Sequence, residues 1–100
     1  MDSIKLNSPW SGAAAWARIN ADGVLELELY DHSEQAAQSL GGDVAWIWTA
    51  DAAQARTALD VENDGELLGA LKYRFADVHA ARDWLRNNGV ALTEYFDSQA

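Results

Sequence analysis

Cysteine is absent from the 100 residues, which excludes disulfides, thiolate zinc sites, iron–sulfur clusters and cysteine nucleophiles. Histidine occurs only at positions 32 and 79, so any metal site would depend on carboxylates. Bases are scarce as well: seven Lys and Arg stand against sixteen Asp and Glu, a formal charge of −9. A field of that sign repels nucleic acid and anionic membranes and speeds encounter with cationic partners. No apolar run approaches the roughly 20 residues of a membrane helix, and "MDSIKLNSPWSG" has no basic segment leading into an apolar one. These deficits predict a soluble, cytoplasmic protein.

What is present suits a folded chain. Hydrophobic residues make up 49% of the sequence and include five Trp, which is ample for one core at the length of a single domain, residues 1–100. The charge is uneven. Residues 20–66 hold Asp22, Glu26, Glu28, Asp31, Glu34, Asp43, Asp51, Asp60, Glu62, Asp64 and Glu66 against Arg56 alone, whereas residues 67–100 carry equal numbers of acids and bases.

Hydrophobic periodicity then divides the chain into elements. "AAAWARI" and "VLELELY" flank "NADG", whose Asn20, Asp22 and Gly23 suit a tight hairpin turn needing positive φ. In the second of these strands Leu25, Leu27 and Leu29 share one face, while Glu26, Glu28 and Tyr30 share the other. "HSEQAAQSLGG" predicts a short helix or turn with Ser33 as N-cap. "DVAWIWTA" reads as an interior strand with Trp46 and Trp48 on one side.

Three helical segments follow. "DAAQARTAL" is capped by Asp51, with Gln54 at capping-box spacing, and "ELLGALKYRF" carries Leu67, Leu68, Leu71 and Phe75 on one face. "DVHAARDWLRNNG" is bounded by Asp77 and Gly89. "VALTEYF", residues 90–96, returns as a strand. The expected fold is α+β: a single domain with an antiparallel or mixed sheet of about four strands, covered on one face by two or three helices.

Motif by motif, catalysis finds little support. "LDVENDGELL" places Asp60, Glu62 and Asp64 before Gly65, as in the first half of a calcium loop, but the twelfth position is Leu71, where a bidentate Glu is needed. Asn63 and Glu66 instead have capping-box spacing. "YDHS" lines up acid, imidazole and hydroxyl, yet neighbours on an extended chain point apart, so Asp31 and Ser33 read as turn or cap residues. Glu26 and Glu28 share a strand face in the manner of an acid–base pair, and also in the manner of any wet sheet face. We expect no enzyme, no cofactor and no metal.

The segments "LYDHSEQA", "GGDVAWIWTA", "LLGALKYRF" and "DWLRNNGVALTEYF" resemble small acidic bacterial immunity-like proteins of contact-dependent and polymorphic toxin systems. The resemblance implies a binding protein that neutralises a toxin domain by contact. Charge and exposure single out Trp16, Glu26, Glu28, Asp60, Glu62, Asp64 and Glu66 as the surface for a basic protein partner. Two alternatives stand beside this: a homodimer through the sheet edge or face bearing Trp10 and Trp16, and an inhibitor mimicking nucleic acid with carboxylates in place of phosphates.

Overall fold

A computed structural model describes residues 2–33 and 43–99. The elements are strands β1 (Asp2–Leu6), β2 (Ala13–Ile19), β3 (Val24–Asp31) and β4 (Asp43–Asp51), helices α1 (Ala52–Leu59), α2 (Asp64–Tyr73) and α3 (Val78–Asn87), and strand β5 (Thr93–Gln99). The strands form one antiparallel sheet in the order β1-β2-β3-β4-β5. Among the described residues no helix is long and apolar enough to cross a membrane.

The hairpin turn forms as its residues dictate. Asn20 Oδ1 accepts from the N–H groups of Asp22 and Val24 at 2.9 and 3.1 Å, and Gly23 takes φ +75°. This fixes the register Ala17↔Leu27 and Arg18↔Glu26. Because side chains alternate along a strand, the register sends Ala15, Ala17, Ile19, Leu25, Leu27 and Leu29 to one face, where all are buried. Trp48 lies opposite Leu27 and joins them. The three helices cover that same face with Ala55, Leu59, Leu67, Leu71, Val78, Ala81 and Leu85, closing a single core. The alanines of β2 thus admit a close-packed cover, which comes from α2.

Each helix begins on a cap. Asp51, Asn63 and Asp77 accept from the N–H groups of Ala53, Glu66 and Ala80 at 2.8, 2.8 and 2.9 Å. These bonds satisfy donors that a helix start leaves open.

Two expectations need correction. The sheet has five strands where about four were expected, because "DSIKL" contributes only Ile4 and Leu6 to the apolar pattern. Its strand conformation comes from backbone pairing with β2 and from α2, where Lys72 Nζ donates to the Lys5 carbonyl at 2.8 Å. The last strand begins at Thr93 rather than residue 90. Gly89 takes φ +86° and the Val90 N–H bonds back to the Leu85 carbonyl at 3.0 Å, so Val90 closes α3 and is buried there. The short helix or turn expected over residues 32–42 lies, apart from His32 and Ser33, outside the described residues.

Leu27 is the centre of the buried row and fully covered. Leu27→Ala should lower unfolding free energy by about 2–5 kcal/mol in urea titration, through lost transfer energy and a residual cavity. A loss of about 0.5 kcal/mol or less would place this row outside the core.

Candidate functional site

The seven expected contact residues do not share a surface. Asp60, Glu62, Asp64 and Glu66 lie where α1 passes into α2, on the helical layer. Trp16, Glu26 and Glu28 lie on the opposite face of the sheet, which no helix covers among the described residues.

The α1–α2 junction is built by its backbone. Asp60 terminates α1 in the left-handed region, φ 58° and ψ 49°, and is the single described non-glycine residue with positive φ. The Val61 N–H closes the helix end on the Arg56 carbonyl at 3.0 Å. One residue further, the Glu62 N–H meets Glu66 Oε2 at 3.4 Å, so the first turn of α2 bends a carboxylate back over the loop. A crevice of about 470 Å³ results, lined by Asp60, Val61, Glu62, Glu66, Gly69, Ala70, Tyr73 and Arg74.

Its chemistry is anionic and aromatic. Glu66, Gly69 and Tyr73 follow at helical spacing along one stripe of α2, and a Cβ built on Gly69 would meet nothing within 4 Å. Tyr73 is 78% exposed. Arg74, the one cation in the lining, donates through Nη1 to the Leu59 carbonyl at 2.9 Å. Asp64 does not face the crevice; its Oδ1 lies 2.6 Å from Arg56 Nη1 in an ion pair between the two helices. Since α2 starts at Asp64, these acids do not wrap a loop as calcium ligands would. Among the described residues no three acidic or imidazole groups converge on a metal position.

On the open sheet face Arg18 dominates. Its Nε meets Glu26 Oε1 at 2.8 Å and its Nη2 meets Glu28 Oε2 at 3.2 Å. The hydrogen bond it donates to Glu26, then the charge of Glu28, raise the guanidinium above its ordinary pKa against the opposing effect of burial. Glu26 also accepts from Asn20 Nδ2 at 3.4 Å. Trp16 sits beside them, half-buried between Lys5 and Glu28. The two glutamates are therefore partnered within the chain, and the expected electronegative patch around Trp16 is balanced by Arg18 and Lys5.

Trp10 is not on that face. It stands on the helical side in a series of ring contacts: Phe96 to Trp46 at 5.4 Å, Trp46 to Trp10 at 6.3 Å, Trp10 to His79 at 5.7 Å and His79 to Trp48 at 6.0 Å. Arg82 lies over the Trp48 ring, 4.8 Å from its centroid, and the Trp48 indole donates to Glu94 at 2.8 Å. Burial first, and then the charge of Arg82, lower the pKa of His79 against the pull of Asp77 and Asp83. Asp31, the one described charged residue in the core, is pushed up by burial. The Ser33 backbone and hydroxyl and the Trp10 indole outweigh this and leave its pKa lowered.

Gly69, Tyr73 and Arg18 are the residues that sequence reasoning missed. Gly69 and Tyr73 were signalled by their three- and seven-residue spacing from Glu66, and Arg18 by the hairpin register opposite Glu26. Searches against protein-family models, curated proteins and solved structures return no match to this chain.

Two outcomes follow from these geometries. Asp60→Gly relieves the left-handed strain and should stabilise the fold by about 0.5–1 kcal/mol in thermal unfolding; lower stability would mean that the carboxylate itself holds the junction. For His79 the folded pKa is below the ordinary 6.5, so the unfolded chain takes up the proton first as pH falls. The stability it contributes is complete above about pH 6.5 and is lost as pH drops towards the lower folded pKa. His79→Gln should flatten that segment of the stability–pH curve, and an unchanged slope would contradict the assignment.

Proposed function

We propose that this chain is a non-catalytic protein-binding domain whose α1–α2 crevice receives a cationic side chain from a basic protein. The observation that carries the reading is that Asp60, Glu62 and Glu66 line one crevice with exposed Tyr73, while Arg74 is engaged with a backbone carbonyl. A Lys or Arg entering there would meet carboxylates at its charged head and an aromatic ring along its stem. The excess of acids over residues 20–66 supplies the long-range attraction that brings such a partner in.

An immunity-type inhibitor of a basic toxin domain is the specific form of this function that the sequence resemblance suggests. In that form affinity comes from a few buried anchors, and the acidic field sets the rate and the choice of partner. The open sheet face contributes less to such recognition, since Glu26 and Glu28 already hold Arg18.

The test is capture of partners encoded beside the gene, with wild-type chain and with a variant carrying Asp60→Lys, Glu62→Lys and Glu66→Lys. Binding should weaken by about a hundredfold or more in the triple variant and fall steeply with salt in the wild type. A partner held equally by both chains would exclude the crevice. Glu26→Gln with Glu28→Gln should change the affinity by less than about tenfold.

A further inference from the structure

The two edges of the sheet are finished differently. β1 is five residues long, carries Asp2 and Lys5, and has the Lys72 ammonium seated on the Lys5 carbonyl. Such features discourage a further strand from pairing. β5 is the other edge and runs seven residues, "TEYFDSQ", with Glu94 and Asp97 its charges and no Lys, Arg, Pro or Gly. Tyr95 and Phe96 are adjacent, point to opposite faces of the sheet, and are 57% and 54% exposed. Phe96 is also the outer end of the aromatic series that runs inward through Trp46 and Trp10 to His79.

We propose that β5 is a self-pairing edge: two copies of this chain join antiparallel through β5 about a two-fold axis, extending the sheet across the dimer. A two-fold axis perpendicular to a sheet keeps like faces together, so each residue opposes one of the same face in the partner copy. Full overlap of Thr93–Gln99 with itself centres on Phe96. Phe96 then meets its own copy, Tyr95 stands opposite Asp97, and Glu94 stands opposite position 98.

No two carboxylates oppose each other directly in this register. Centring on Glu94 or on Asp97 would set like charges face to face, which is unfavourable, and centring on Tyr95 would overlap only residues 93–97 of the strand, so charge and strand overlap together favour the Phe96 register. The occupant is a second copy because the edge is complementary to itself in this way. The arrangement joins the two aromatic series at Phe96 and leaves both helical layers on one side of the extended sheet, with the α1–α2 crevices at the far edges, where α2 packs on β1 and β2.

Sedimentation equilibrium across a micromolar concentration range should show a monomer–dimer equilibrium for the wild-type chain. Hydrogen exchange should show amides of residues 93–99 gaining protection with concentration while those of residues 2–6 do not. Phe96→Lys places two ammonium groups at the axis and should weaken association by about tenfold or more, with the circular dichroism spectrum unchanged. The triple lysine variant of the crevice should still dimerise, which separates this inference from the proposed function. A chain monomeric throughout the range overturns the proposal. So does a dimer whose concentration-dependent protection falls on residues 13–19 and 45–47 of the open face. If Phe96→Lys fails to fold, the exchange measurement on the wild-type chain decides alone.

Discussion

The row of three leucines on β3 is the constraint from which the rest of this structure follows. Leu25, Leu27 and Leu29 alternate with polar residues, so β3 has one face that must leave water and one that need not. The Asn20–Gly23 turn sets Ala15, Ala17 and Ile19 alongside them, and β4 adds Trp48 and Ala50. Trp16, Ile47 and Tyr95 lie on the opposite face, but the continuous buried surface is the leucine face, which takes the single block of described helices between β4 and β5. They pack there together, and the other face is left to Arg18 and its two glutamates.

The same constraint explains how much of the protein was legible in its amino-acid order. The β2–β3 hairpin, β4, all three helices and their caps at Asp51, Asn63 and Asp77 are each specified by residues within a few positions of one another. Strand β1 is different in kind. Its short, half-charged segment is a strand because a preformed neighbour pairs with it and because Lys72, far along the chain, reaches its backbone. The start of β5 was misplaced for a related reason: Val90 looks like a strand residue and is used to finish α3.

The candidate site was legible in part, and the missing part was geometrical. Reading acids along the chain grouped Glu26 and Glu28 with Asp60, Glu62, Asp64 and Glu66. Folding puts a sheet between the two groups, and three ion pairs then cancel much of what remained: Arg18 takes both glutamates of the open face and Arg56 takes Asp64. Of the bases, Arg18 lies outside the acid-rich residues 20–66, and it meets Glu26 only through the cross-strand register, which charge read along the chain does not show. Helical spacing from Glu66 would have found Tyr73, whose ring turns a cluster of acids into a crevice with a wall.

The crevice and the β5 edge call on opposite uses of charge. A cationic partner of the proposed kind would be drawn to the crevice by a field that salt weakens, so that contact would be tightest at low ionic strength. Two copies meeting at β5 each carry a formal charge of −9, and their repulsion is what salt removes, while the contact itself rests on backbone pairing and aromatic burial that salt does not weaken. Raising ionic strength should therefore loosen one association and strengthen the other. If both proposals hold, the two surfaces are physically separate: Asp60, Glu62 and Glu66 line the α1–α2 junction on the helical layer, and α2 packs on β1 and β2, at the opposite side of the sheet from β5. Dimerisation through β5 would then present two crevices without covering either, and each would stay open to a basic side chain.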